Sequence, residues 1–298
     1  MSSKEVSRTR CWRFSTAALL FTTLTAVPLY SHQSDPKAPI SLADLAKLSQ
    51  NPVTDKLASV PFQNKTNFNF GPDDDTQNIL LIEPLFHVPL SESWYLIPRV
   101  LFPVMWQPVP GQGTTFGAGD IAVNAFFCPR RTGKLSWGVG PSFLLDTATD
   151  STLGTGMWSA GPAAVVLTTP GHFVVGSILT QLWSFTTPSA KQASFQFTEL
   201  LPPSSGPPPN VNSFVWRFFA NYNFENGWYV TSAPTITANW DADQTWLVPV
   251  GGGAGRVFHM GKQAGKLELQ VFYNVVKPDG AASWTFQTLF VLLFSPRW

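Results

Sequence analysis

The chain has 298 residues, 12 % charged and 14 % aromatic, with 19 Lys and Arg against 18 Asp and Glu for a formal charge of +1. So even a balance gives no electrostatic reason to expect nucleic acid as a partner. Charge at about half the usual ~25 %, joined to 12 Trp and 24 Phe and no mature run of the ~20 apolar residues a spanning helix needs, leaves a secreted all-β protein or a barrel facing lipid.

The first segment, residues 1–31, reads as an export signal. Lys4, Arg8, Arg10 and Arg13 form a basic region, Phe14 to Tyr30 is apolar and hydroxylated, and a polar stretch begins at Ser31. No clean small-x-small triplet fixes the cleavage point, and an uncleaved anchor is the competing reading. Cys11 precedes the apolar run, which argues against a lipoprotein site. With Cys11 in the leader, Cys128 stands alone in the mature chain and no intrachain disulfide is possible.

Residues 32–58 are read as a periplasmic linker. Within it Leu42, Leu45 and Leu48 repeat every third position behind Ser41, a helix cap, and Asn51-Pro52 ends the pattern. This short amphipathic helix lies in the periplasm or enters a barrel mouth; a poorly ordered linker is the bland alternative.

Residues 59–298 are read as the barrel. Alternating segments fall near 60–70, 76–89, 94–105, 118–128, 135–146, 158–168, 172–184, 212–224, 228–240, 244–258, 266–276 and 284–298. Period two is the strand signature. In the second segment Leu80, Ile82, Phe86 and Val88 oppose Gln77, Glu83 and His87. In the third, Trp94, Leu96, Val100 and Phe102 oppose Tyr95 and Arg99. In the eighth, Phe214, Trp216, Phe218, Tyr222 and Phe224 oppose Ser213, Arg217, Asn221 and Asn223. In the eleventh, Leu267, Leu269, Val271, Tyr273 and Val275 oppose Lys266, Glu268, Gln270 and Asn274. A soluble sandwich alternates too, but two further features favour a barrel. Connections alternate between short turns (91–93, 129–134, 169–172, 225–227, 261–265) and generally longer loops (107–117, 147–157, 185–212), as periplasmic turns and outer loops do. Aromatics gather at segment ends: Trp94, Trp106, Trp137, Trp158, Trp183, Trp228, Trp240, Trp246, Trp284 and the terminal Trp298 are expected at the membrane–water boundary. Core tryptophans are the alternative. The expected fold is therefore all-β: a transmembrane antiparallel up-and-down barrel of about twelve strands with a short N-terminal helix.

On that reading Glu83, Arg99, Asp120, Arg217 and Glu268 point into the lumen. Reflection about the turn at 91–93 sets Arg99 beside Leu85, one diagonal step from Glu83. These charges either fill a narrow lumen with ion pairs or form a constriction that selects solutes. No His or Cys spacing suits a metal, no His-x-Ser pair lies within residues 59–298 to suit a barrel lipase, and Gly251-Gly252-Gly253 lies in a strand pattern rather than before a helix. Asp73-Asp74-Asp75 reads as a solvated turn. No catalytic residue, metal or cofactor is expected.

Several blocks carry a resemblance: SVPFQNKTNFNFGP, GAGDIAVNAFF, WGVGPSFLLDTATD, LGTGMWSAGPAAVVL, GWYVTSAPTITANW, TWLVPVGGGAGRVF and QVFYNVVKP. In this order they resemble, over about residues 41–298, the bacterial outer-membrane family labelled MetA-pathway phenol-degradation proteins or transporters, some of them misnamed neuromedin U. Lys65, where a second amide is expected, and Asp146, where Pro is usual, are local departures. The resemblance implies a Gram-negative outer-membrane barrel admitting small aromatic or other apolar compounds, and it supplies no functional residues to carry over. The expected partners are outer-membrane lipid, the barrel-assembly machinery and an unidentified small solute. A non-enzymatic passive transporter ranks first. A plugged structural or binding barrel follows, then a lipid-acting enzyme, then a soluble β-protein.

Overall fold

The structure is a computed structural model that describes residues 40–187, 210–243 and 245–294. The expected leader, Trp298 and most of the Pro-rich loop lie outside the described residues. The strands are β1 (Ala58–Phe70), β2 (Asp75–Ile82, resumed at Val88–Pro89), β3 (Trp94–Val109), β4 (Gly113–Ala118 and Ile121–Pro129), β5 (Leu135–Leu145), β6 (Ser159–Thr168), β7 (Phe173–Ser184), β8 (Asn212–Asn223), β9 (Trp228–Ser232 and Thr235–Asn239), β10 (Trp246–Met260), β11 (Gln263–Val276) and β12 (Trp284–Phe294). Each pairs antiparallel with its chain neighbours. β12 returns to β1 with Phe62 opposite Phe290, so the ladder closes. The result is a twelve-stranded antiparallel barrel, and no described helix is long and apolar enough to cross a membrane. Closure removes the unpaired edges that would otherwise seek another chain.

Proline interrupts β2 and β9, while β4 breaks at Gly119-Asp120. Pro84 and Pro234 lack the N–H a ladder needs, yet β2 keeps its register through the isolated bridges Ser59–Leu85 and Leu85–Arg99. Two loops differ from expectation. Residues 104–109 and 113–118 pair as a hairpin extension, so the loop between β3 and β4 shrinks to its tip. Between β10 and β11 the ladder runs on to Met260 opposite Gln263, leaving a two-residue turn where a five-residue one was expected. Gly261 (φ 63°) supplies the positive φ such a turn requires.

Alternation sorts the side chains as the period demands. On β11, Lys266, Glu268, Gln270 and Asn274 are buried inside, while Leu267, Leu269, Val271, Tyr273 and Val275 are 42–54 % exposed outside. The interior is not uniformly polar, however. Ile97, Phe126, Val165, Leu167, Val174, Ile178 and Phe219 form an apolar cluster within the barrel, and Leu101, Leu144, Met157, Leu182 and Val215 form another. The physical reason is that this barrel holds chain inside it, and packed chain needs apolar walls.

The N-terminal segment is part of that filling. Ser41 Oγ accepts from Asp44 N at 3.1 Å and caps α1 (Leu42–Ser49). Leu45 and Ala46, fully buried, pack against Tyr229, Val257, Ala264, Val291 and Leu293 at the end of the barrel where β1 begins and β12 ends, here called the near end. Beyond the helix, Gln50 exchanges two hydrogen bonds with Asn223 (2.9 and 3.0 Å), and Val53 O accepts from Tyr95 Oη at 2.6 Å. At the far end the loop between β5 and β6 turns inward, with Leu153, Thr155 and Met157 fully buried.

Candidate functional site

Mid-barrel, the inward faces of β2, β3 and β8 bring three charges together. Glu83 Oε2 accepts from Arg99 Nη2 at 2.5 Å. Glu83 Oε1 faces Arg217 Nη1 at 3.6 Å from across the lumen. Glu83 and Arg99 side chains are only 7 % exposed, so this is a buried ionic group rather than a solvated rim. On β11, Glu268 accepts from Tyr229 Oη at 2.8 Å and from Gln270 Nε2 at 2.6 Å, and Lys266 Nζ lies 3.9 Å from it. Glu83, Arg99, Lys266 and Glu268 line one cavity of about 180 Å³, whose remaining walls include Leu57, Leu85, Ile178, Phe219, Leu289 and Val291. Its near-end face is the N-terminal segment, residues Leu48 to Thr54.

A smaller cavity of about 50 Å³ lies farther along the lumen, lined by Lys65, Asn67, Thr237, Asn274 and Gln287. Beside it an amide chain runs round the inner wall. Thr285 donates to Asn67, Asn67 to Gln77, and Gln77 to Gln107 at 2.7, 2.7 and 2.5 Å. These amides are thus satisfied by one another, as burial requires.

The two cavities share one lining residue, Ala233, which sits at a seam in the wall. The β9–β10 ladder stops after Thr231 opposite Gly253 and resumes at Thr237 opposite Leu247. Between them Ala233 N donates inward to Gln270 Oε1 at 3.0 Å, and a side chain, Ser232 Oγ, bonds Gly251 O at 2.7 Å. Pro234 and Pro249 face this stretch without N–H groups. The glycines opposite are a packing matter: a Cβ at Gly253 would collide with the Leu269 carbonyl. Across this stretch side chains supply the bonds that ladder pairing supplies on either side of it.

Of the residues expected in the lumen, Glu83, Arg99 and Arg217 meet in one group and Glu268 lies on the same cavity. Asp120 does not join them. It is 2 % exposed and accepts from Thr147 N, Ala148 N, Thr155 N and Thr155 Oγ1 at 2.6–3.1 Å, holding the inturned far-end loop to the wall. Asp120→Ala removes a buried acceptor of four hydrogen bonds and is expected to cost about 2–3 kcal/mol. Limited proteolysis should then cut the 146–157 loop in a barrel that still shows its folded electrophoretic mobility. Uncut loops in that variant would show that apolar burial of Leu153 and Met157 suffices. Sequence reading passed over Lys266 as a lumen candidate, although its alternation with Glu268 was visible, and missed Tyr229 altogether, because an aromatic in a strand-end pattern gives no sign that its hydroxyl turns inward.

The described tryptophans all stand on the outer face, 37–49 % exposed. Trp94, Trp137 and Trp228 ring the near end, and Trp94 and Trp137 meet edge-on at 5.9 Å. Trp158, Trp183, Trp240, Trp246 and Trp284 ring the far end, with Trp240 on Trp246 at 5.5 Å. Arg256 lies over the Trp228 ring at 5.3 Å.

No family model and no curated protein matches the sequence. Among solved structures, the chain is similar to an outer membrane channel from Pseudomonas putida F1, with 15 % identity and a TM-score of 0.58 over 82 % of this chain and 99 % of that one. It is more distantly similar to the CymD monoaromatic hydrocarbon channel (9 % identity, TM-score 0.45, covering 85 % and 91 %) and to the NanC porin (12 %, 0.45, 80 % and 99 %). At these identities the likeness is one of barrel architecture.

Proposed function

We propose that this protein is a barrel of the Gram-negative outer membrane that passes small, largely apolar or one-ring aromatic molecules, acting as a conduit rather than an enzyme. The outer face supports the location: an apolar band between two rings of tryptophan matches hydrocarbon bounded by two interfaces. A chain so placed arrives through the export signal read at residues 1–31 and through the barrel-assembly machinery. The resemblance to the MetA-pathway phenol-degradation family and the architecture shared with channels agree with this reading.

The observation that carries the proposal is the seam between β9 and β10, which touches both lumen cavities at Ala233. Apolar solutes concentrate in lipid, and a wall held there by side chains gives them a lateral way between lumen and bilayer. Lumen ends filled by α1 and by the 146–157 loop favour that way over an axial aqueous one. The second reading, a plugged structural or binding barrel, draws on the same filling of the lumen. Flux separates the two. Vesicles carrying the barrel are expected to take up phenol or toluene faster than empty vesicles. Ala233→Trp, which places an indole where the cavities meet, is expected to slow that uptake about ten-fold while the barrel keeps its folded mobility. Uptake no faster than in empty vesicles would sink the conduit reading.

A further inference from the structure

We infer that the cavity of about 180 Å³ holds a small neutral molecule by a hydroxyl group, the rest of that molecule being one ring or a short alkyl chain. The inference rests on the conduit reading and adds the group that the cargo carries. Its first ground is where unmet hydrogen bonds fall. Among the described residues, five buried side-chain atoms lack a hydrogen-bond partner, and three of them belong to residues that line the two cavities. Glu83 Oε1 and Thr231 Oγ1 fall at the larger cavity and Thr237 Oγ1 at the smaller. Glu83 and Thr231 are each 6 % exposed. The other carboxylate oxygens of the larger cavity are met: Arg99 bonds Glu83 Oε2, and Tyr229 and Gln270 bond Glu268. Buried polar atoms without partners are rare in folded chains, and each calls for an explanation. Two at one cavity point to a ligand that completes them.

The second ground is what those two atoms demand. A carboxylate oxygen only accepts, so Glu83 Oε1 needs a donor. Arg217 Nη1 stands 3.6 Å from it, an attraction of charges at a distance too long for a hydrogen bond. An anion would bring further acceptors and leave Oε1 unmet. A cation would donate, but beside the guanidinium groups of Arg99 and Arg217. A neutral donor has neither fault. A hydroxyl can give its hydrogen to Glu83 Oε1 and offer its lone pairs to the Thr231 hydroxyl. The third ground is shape. Ile178, Phe219, Leu85 and Leu289 supply apolar wall beside the polar atoms, and a cavity of ~150 Å³ is enough for benzene. One end of the ligand is therefore a hydroxyl and the other apolar, and its size is one ring or the equivalent.

Calorimetric titration of the full-length barrel in uncharged detergent, with the heat of titration into detergent alone subtracted, tests this with three probes of similar size. Benzyl alcohol donates and accepts, its isomer anisole accepts only, and toluene does neither. Benzyl alcohol is expected to bind about ten-fold more tightly than anisole, as a hydrogen bond to a charged group gives, and toluene least. Thr231→Val removes the hydroxyl at nearly constant shape. It is expected to weaken benzyl alcohol and anisole several-fold while toluene binds as before, a pattern that misfolding cannot produce. Glu83→Gln supplies an amide N–H that the anisole oxygen can meet, and is expected to shrink the preference for benzyl alcohol to about two-fold. Equal binding of benzyl alcohol and anisole to the unaltered barrel, equal losses of all three probes in Thr231→Val, or no binding of benzyl alcohol would overturn the inference. Should phenol flux into vesicles persist in any of those cases, the conduit reading survives without it. Should the probes bind in the expected order while no solute crosses, the site stands and the conduit fails.

Discussion

Glu83→Ala is expected to remove about 3–5 kcal/mol of barrel stability, the cost typical of breaking a buried ionic group by deleting one partner. The substitution leaves Arg99, whose Nη2 lies 2.5 Å from the carboxylate, and Arg217 across the lumen without their shared anion. Glu83→Gln keeps an acceptor for Arg99 and should cost less. Urea titration of the refolded barrel in vesicles, followed by tryptophan fluorescence, measures both. The result also reports on the lumen. A loss below about 1 kcal/mol is what solvated ion pairs give. It would mean that water reaches Glu83 freely and that the barrel is an aqueous pore at that depth. A large loss means a dry group, which suits an apolar cargo moving past it rather than a hydrated ion moving through it.

Leu45→Glu is expected to raise single-channel conductance in planar bilayers several-fold. Leu45 is fully buried among Tyr229, Val257, Ala264 and Leu293. An ionised carboxylate there has no partner in the cluster and costs several kcal/mol, comparable with what holds a two-turn helix in place. The helix leaves and the near-end mouth opens, while the closed ladder of twelve strands is untouched. Retained heat-modifiable mobility on electrophoresis separates this outcome from failure to fold. Unchanged conductance in a folded variant would place the barrier elsewhere, with the 146–157 loop held by Asp120 as the next candidate. Asp120→Ala combined with Leu45→Glu would then be expected to open both ends.

The period-two alternation was enough to place twelve strands, because a strand with one face on lipid has to keep one parity apolar over its whole length. Local pairing was legible wherever a short turn fixed it. Reflection about residues 91–93 set Arg99 beside Leu85, and the bridge between those two residues lies there. Boundaries failed where ladder pairing outran the hydrophobic pattern, as at 107–118 and at Met260–Gln263. What the period cannot carry is azimuth. It says that Arg217 and Glu268 face inward, not which strands they face, since that depends on closure and on the stagger of the whole ring.

Contacts between strands far apart in the chain were therefore decided by the tertiary structure alone: Arg217 reaching Glu83, Tyr229 reaching Glu268, and the N-terminal segment's Gln50 bonding Asn223. Asp120 looked identical in sequence to the other inward charges, and only the path of the 146–157 loop made it an anchor. The apolar half of the interior was hidden for the same reason. Ile97 and Phe219 share parity with Arg99 and Arg217, and nothing local says that an inward position will meet packed chain instead of water. The sequence determined a closed, lipid-facing wall, because that is a property of each strand taken singly. What fills the wall and where it is weak arises between strands far apart in the chain, and only the folded ring brings them together.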